Sequence, residues 1–353
     1  MKNRFQEIVV SGTNREMGLQ IGDACREIIK ELASVVLHRF NLGQENNVSI
    51  KEARDISASA LNFSRSYLND EIQELIGISE SSGVSLNDLM LLNCRNMFSV
   101  TQEGCTAILV SDERSDNGYS IAGQNWDNDP EMDKYSVVLT RRPVSEPSNI
   151  TWTQPGLSAY MGLNSAGTAV CMNALNGGST LKGIPWYFIV RKLLKTAGFF
   201  QAIDNVRRMP RAITANAAII TSDGPINMEL TPESVEYLEP KNGLIVHTNH
   251  CLHPKFERNN IEFKKDIYGQ SFERKDRCEE VLSEIDQIKI EDVKRALSDH
   301  EGFPTSICRH PNPDPLIGWQ RSVISIIMQP RTRELYISRG NPCESNYEVY
   351  QLN

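Results

Sequence analysis

The sequence predicts an α+β fold of stacked layers, and three observations carry that prediction. The first hundred residues have helical apolar spacing, and the texture changes abruptly to strands at Cys105. The later helical blocks then interrupt the strands too irregularly for a doubly wound parallel sheet. With 353 residues, 40% hydrophobic and 23% charged, the composition excludes disordered, collagen-like and coiled-coil proteins. A net charge of −8 argues against a nucleic-acid binder, which would carry a basic field. No apolar run approaches the roughly 18 residues that span a bilayer, and the longest, such as Val323 to Met328, are strand-sized. Small molecules or proteins are therefore the expected partners, with no nucleic acid and no membrane. The opening MKNRFQEIVVSGTN has charge but no apolar core or small-residue cleavage site, so the expected location is cytoplasmic.

From Glu16 to about Gly43, Met17, Leu19, Ile21, Ile28, Ile29, Leu32, Val35 and Val36 recur mostly at spacings of three, four and seven. That pattern predicts one amphipathic helix. Two more follow, from about Ser49 to Leu68 and from Asp70 to Ile78, and the capping sequence Ser85-Leu-Asn-Asp88 opens a fourth. CTAILVS and YSIAGQNWD, separated by the turn-rich DERSDNG, predict a hairpin. Strand patterns recur in KYSVVLTRR, TAVCMNAL, NAAIITSD, INMELTP, GLIVHTNH, SVISIIM and ELYISR. Helical patterns lie in IPWYFIVRKLLKTA, FQAIDNVRRM, RKDRCEEVLSEI and IEDVKRALSDH, while Leu252 to Gln270, rich in charge and Asn, reads as a surface loop or insertion.

Eight cysteines are scattered with no CxxC pair, unlike a zinc ribbon or a disulfide framework. Most read as small buried hydrophobes, Cys308 among them. Gly162-Leu-Asn-Ser165-Ala-Gly167 misses the nucleophile-elbow pattern by one residue, which leaves Ser165 as a hairpin-turn residue. His247, His250 and His253 invite a zinc reading, but their spacing fits neither adjacent turns of a helix nor one face of a strand. Trp186, Tyr187 and Phe188 read either as core or as the lining of an acyl pocket. Cys105 stands out because it follows Gly104 at the boundary between the helical and strand textures. A glycine there leaves its carbonyl open to the neighbouring thiol. The plainer alternative is a core cysteine beginning a strand.

GCTAILVS, DNGYSIAGQNWD, GLNSAGTAVCMNALN, GLIVHTNH and DHEGFPTSICRHPN resemble, in order, the blocks of the acyl-coenzyme A:6-aminopenicillanic acid acyltransferase-like family. These are the isopenicillin N acyltransferase-like cysteine members of the N-terminal nucleophile (Ntn) hydrolases. The resemblance runs from Gly12-Thr-Asn-Arg-Glu-Met-Gly18 to Gly340-Asn-Pro-Cys343-Glu, and GCT followed by GQNWD is its most specific part.

The resemblance implies an Ntn-hydrolase αββα four-layer sandwich with a mostly helical N-terminal segment, made as a precursor that cuts itself between Gly104 and Cys105. Residues 1–104 would become an α chain packed with a β chain of residues 105–353 as one globular unit, with a homo-oligomer left open. Cys105 would be both nucleophile and new N-terminus. Its α-amine, with an ordinary pKa of about 7.7 to 8.0, would be the general base, so the chemistry calls for no cofactor and no metal. The thiol would attack an acyl carbonyl to form a thioester, resolved by water or a second amine.

By the same resemblance Asp127 would orient the α-ammonium, where the residue alone also reads as a turn cap. Asn249 would donate to the oxyanion and Asn173 would be a second donor. Arg309 would hold Asp127 or a substrate carboxylate. The expected function is a self-processing amidohydrolase or acyltransferase acting on a small N-acylated compound, with acyl-coenzyme A as a further substrate class. Two alternatives remain at this point: an Ntn-fold binding protein that stays uncut, and a zinc amidohydrolase using the three histidines.

Overall fold

A capping box opens the first helix. The Thr13 hydroxyl accepts from the Glu16 amide at 3.3 Å while the Glu16 carboxylate takes the Thr13 N–H at 2.8 Å, which satisfies donors that a helix start leaves unpaired. The computed structural model describes residues 4–42, 47–98, 104–261, 265–314 and 318–353. Strand β1 (Glu7–Gly12) leads into α1 (Asn14–Ala24), α2 (Arg26–Asn41), α3 (Ile50–Arg65), α4 (Asn69–Ser82) and α5 (Leu86–Cys94). Then come β2 (Gly104–Val110), β3 (Ile121–Asn128), β4 (Val137–Pro143), β5 (Asn149–Thr153), β6 (Met161–Asn164) and β7 (Ala169–Ser179). Helices α6 (Trp186–Leu193) and α7 (Phe199–Arg208) separate these from β8 (Ile213–Thr221), β9 (Gly224–Leu230), β10 (Val235–Leu238) and β11 (Leu244–His247). The chain closes with α8 (Glu257–Ile261), α9 (Lys265–Ser283), α10 (Ile290–Leu297), β12 (Arg321–Gln329), β13 (Glu334–Arg339) and β14 (Tyr347–Gln351).

The strands form an eight-stranded sheet, in the order β1-β4-β5-β6-β7-β8-β9-β10, and a six-stranded sheet, β11-β2-β3-β12-β13-β14. All neighbours are antiparallel except β1 and β4. Strands β2 and β3 pack against β7 and β8 across the interface between sheets. Trp126 of β3 and Trp152 of β5 meet there with ring centroids 5.3 Å apart. Helices α9 and α10 cover the other face of the small sheet, burying Cys278, Leu282, Val293 and Leu297 against Ile108, Val110, Ile121 and Ile327. The N-terminal helices and α6 cover the large sheet. Glu74 of α4 is buried there and satisfied from both sides, by Arg141 of β4 at 2.8 Å and Arg191 of α6 at 3.3 Å. The result is an αββα four-layer sandwich with a helical N-terminal region, as expected.

Ser85 caps α5 through the Asp88 amide, and Ser165 sits in the β6–β7 turn. The continuous helix predicted from Glu16 is two helices broken at Cys25. Met17, Ile21, Cys25, Ile29, Leu32 and Val36 are all buried, so the apolar stripe runs through the break and spacing alone does not reveal it. The predicted end at Gly43 lies outside the described residues. The supposed loop from Leu252 to Gln270 is corrected: it holds a short turn at Pro254–Phe256, all of α8 and the start of α9, residues 262–264 lying outside the described part. Strands β1, β5, β6, β10 and β14 are additions to the predicted set.

Helix α1 lies against α4 backbone to backbone. A Cβ on Gly18 would stand 2.1 Å from the Glu74 carbonyl oxygen, and one on Gly77 would stand 2.3 Å from that of Arg15. No flexible side chain can yield there, so the helices would have to separate. Gly77→Ala is expected to lower stability by about 1–3 kcal/mol or more, read as a fall in the urea midpoint with an unchanged slope.

Candidate active site

Strand β2 begins at Gly104, whose register partner across the hairpin is Asp127, while Cys105 faces Trp126. Residues 99–103, which precede the expected cut, lie outside the described part of the chain. A Cβ on Gly104 would stand 2.8 Å from Arg309 Nη1 and 2.9 Å from Asp127 Oδ2. Only glycine leaves room for that carboxylate and guanidinium beside the Gly104–Cys105 bond. Asp127 is completely buried. Its Oδ1 accepts from the Ser322 hydroxyl at 2.6 Å, and that hydroxyl in turn accepts from the Arg309 amide at 2.9 Å. Among the described residues Asp127 Oδ2 has no hydrogen-bond partner.

The other side of Cys105 is equally constrained. Its peptide N–H donates to Asn249 Oδ1 at 2.9 Å, and its carbonyl accepts from Arg274 Nη1 at 2.6 Å. Arg274 also donates to Thr106 Oγ1 and to Asn249 Oδ1. Asn249 Nδ2 donates to the Ala174 carbonyl at 3.1 Å, which leaves its second amide hydrogen for another acceptor. The fold thus brings Cys105, Asp127, Asn249 and Arg309 together. Asn173 lies next to Ala174 on β7 but is engaged elsewhere: its Oδ1 accepts from Asn216 and its Nδ2 donates to the His247 carbonyl.

Arg274 was not among the predicted site residues. It lies on the buried stripe Ser271, Arg274, Cys278 and Leu282 of α9, where a charge needs partners, but the sequence does not show which face of that helix is covered. Glu229 was missed as well. This buried carboxylate binds His247 Nε2 at 2.8 Å and accepts the amides of Leu252 and His253, stapling both ends of the turn that presents Asn249.

The three-histidine zinc reading is corrected by these contacts. His247 faces Glu229, His250 Nδ1 lies 2.8 Å from Ser271 Oγ, and His253 Nδ1 accepts from the Lys255 amide. The imidazoles serve separate elements and do not converge. Trp186, Tyr187 and Phe188 are at most 2% exposed, and Tyr187 stacks on Tyr160, so they belong to the core.

A model of the acyl-coenzyme A:6-aminopenicillanic acid acyl-transferase family matches residues 113–344. The chain belongs to this family. The match starts after Cys105 and contains Asp127, Asn173, Asn249 and Arg309. The 40 kDa form of acyl-coenzyme A:6-aminopenicillanic-acid-acyltransferase from Emericella nidulans is 28% identical over 245 residues, 67% of this chain and 66% of that protein. Protein dcd1B from Dictyostelium discoideum is 26% identical over 203 residues, 53% of this chain and 38% of the relative. The chain therefore spans less than two thirds of the length of either relative. Penicillin V acylase from Agrobacterium tumefaciens superposes with a TM-score of 0.47 at 10% identity, covering 70% of this chain and 86% of that structure. Family membership and the αββα sandwich together give an Ntn-hydrolase fold. Among the described residues no helix is long and apolar enough to cross a membrane.

Burial dominates the electrostatics of the site. It pushes the Asp127 carboxyl above the usual carboxylate range, against the pull of Arg274, Arg309 and the Ser322 hydroxyl. It also pushes the Arg309 guanidinium down to about 10, against the attraction of Asp127. Nearby, burial holds His250 at about 3, helped by positive charge from His247, Lys275 and Arg274. A histidine depressed in the folded state binds its proton in the unfolded chain first, so it costs stability as pH falls from about 6.5 towards 3 and costs nothing above. His250→Gln is expected to remove up to about 1.4 kcal/mol per pH unit from the acid slope, measured as urea stability of wild type and variant between those pH values.

Proposed function

We propose that the protein is a self-processing cysteine Ntn amidohydrolase or acyltransferase that handles the acyl group of a small N-acylated compound through a thioester on Cys105. The observation that carries this reading is the buried Asp127 Oδ2, which lacks a donor and lies beside the Gly104–Cys105 bond. A buried carboxylate oxygen without a partner is costly. An α-ammonium released at Cys105 would supply the missing donor and the compensating charge.

In maturation the Cys105 thiol adds to the Gly104 carbonyl, the C–N bond breaks, and the Cys105 nitrogen takes the proton that leaves sulfur. Water then cleaves the resulting thioester, leaving a Gly104 carboxylate on residues 1–104 and a free α-amine on residues 105–353. Before the cut that nitrogen is an amide and cannot be the base, so Asp127, Arg274 and Arg309 are the charged groups available to this step. After it, the amine takes the thiol proton as Cys105 attacks the substrate acyl group. Asn249 donates its second amide hydrogen to the oxyanion, Ser322 holds Asp127 in place with Arg309 supplying positive charge beside it, and Asn173 orders β7 behind Ala174. The amine product leaves and water resolves the thioester; an amine acceptor would make the same step acyl transfer. The Emericella relative, named for an acyl-coenzyme A donor and 6-aminopenicillanic acid, supports including acyl thioesters among the substrates.

Two measurements test this reading. Intact mass and N-terminal sequencing are expected to show a chain beginning Cys-Thr-Ala-Ile, with Cys105→Ala remaining whole. A wild-type chain that stays uncut through long incubation at neutral pH would favour a non-catalytic binding protein. In mature enzyme Asn249→Ala is expected to lower kcat by about 10²- to 10³-fold, the usual effect of removing one oxyanion donor, while alkylation followed by peptide mapping still labels Cys105. An unchanged kcat would remove Asn249 from the site.

A further inference from the structure

We propose that His300, Cys308, His310 and Cys343 form a structural zinc site. One ligand atom from each of the four lies within 4.8 Å of all the others. The two sulfurs are 3.7 Å apart, and His310 Nε2 lies 3.6 Å from Cys308 Sγ, 3.3 Å from Cys343 Sγ and 2.9 Å from His300 Nε2. Tetrahedral zinc, with bonds of about 2.3 Å to sulfur and 2.0–2.1 Å to nitrogen, sets these separations at about 3.8 Å for S–S, 3.6 Å for S–N and 3.3 Å for N–N. The sulfurs and the two His310–sulfur pairs match within a few tenths of an ångström, the two imidazoles need to part by a similar amount, and a ring nitrogen of His300 stays within 4.8 Å of both sulfurs.

The donor set selects the metal. Two thiolates with two imidazoles in a tetrahedron suit zinc better than magnesium or calcium, which take oxygen. Four protein ligands leave no open position, which is the pattern of structural and not catalytic zinc. Binding converts both thiols to thiolates, and their two protons go to solvent. The surroundings fit a thiolate: Asn341 Nδ2 points at Cys308 Sγ from 3.4 Å and also donates to the Arg309 carbonyl at 2.7 Å. The Glu344 carboxylate lies 3.8 Å from Nδ1 of His310, the nitrogen turned away from the cluster. Contacts of this kind orient metal ligands. His300 and Cys343 are exposed, so an ion can enter directly from solvent. The site would join the segment after α10 to the turn between β13 and β14. Arg309 lies between two of its ligands, so the same ion would fix the backbone that carries this arginine to Asp127.

The test uses the full-length protein purified in reducing buffer. Metal analysis is expected to find about one zinc per chain, removable by chelator and restored by zinc chloride alone. Cobalt in its place should give sulfur-to-metal charge-transfer absorption and the visible bands of a tetrahedral ion. The surface variants Cys343→Ser and His300→Ala should lose the retained zinc, and Asn341→Ala should weaken zinc binding by about 10- to 100-fold. Absence of stoichiometric zinc together with a featureless cobalt spectrum would overturn the proposal. So would equal zinc retention by Cys343→Ser, or a mass showing that both thiol hydrogens have been lost to a Cys308–Cys343 disulfide. None of these readouts depends on self-cleavage or turnover, so the site stands or falls apart from the function proposed for Cys105.

Discussion

The missing Cβ of Gly104 is what allows a carboxylate and a guanidinium to reach the first peptide bond of β2, and the geometry around Cys105 follows from that opening. Asp127 occupies the space because the β2–β3 register puts it opposite Gly104. Ser322 fixes the carboxylate and, through the same oxygen, the Arg309 backbone. Three separate stretches of chain are thereby held to one point. Taking this many charges out of water is expensive and tolerable only with partners in place. Arg274, entering from α9, meets that demand by donating to Cys105, Thr106 and Asn249 together.

A second layer of polar contacts keeps Asn249 where it is. Glu229 belongs to the eight-stranded sheet, yet it binds residues on both sides of Asn249 in the turn after β11, a strand of the other sheet. Burial alone would raise this carboxyl, but the His247 contact and two backbone donors hold it below its ordinary range. A charged Glu229 therefore ties the two sheets together at the site, and the imidazole of His247 and the backbone amide of His253 are part of that tie.

The sequence revealed elements wherever one face alternates or repeats, and failed where length or partner choice decided. CTAILVS and SVISIIM are long, apolar and β-branched, so their strands were legible. VEYL and YEVYQ are short strands, each at an edge of its own sheet, with charges that read as loop, and MGLN, at four residues, is no longer than a turn. The polar start of α9 hid a helix behind charge and Asn. Cys105, Asp127, Asn249 and Arg309 were legible only through a family resemblance, because nothing local distinguishes Asp127 from a turn cap. Arg274 was hidden because a single arginine on a helix does not announce which face it takes. Cys308 and His310 gave no signal because their partners, His300 and Cys343, are brought near by closure of the fold and by no spacing in the chain.

The two ends of the described chain touch. Arg4 donates to the Val349 carbonyl, and the Phe5 amide donates to the Tyr350 hydroxyl; β1 meanwhile runs along β4 at one edge of the large sheet. Residues on both sides of Gly104 contribute to one apolar core. Topologically the fold is close to a ring, and where the backbone is open matters little to which elements neighbour one another. A backbone opened between Gly104 and Cys105 would leave the β2–β3 pairing from Cys105 to Val110 and the shared apolar core in place, so the two pieces would stay together as one body.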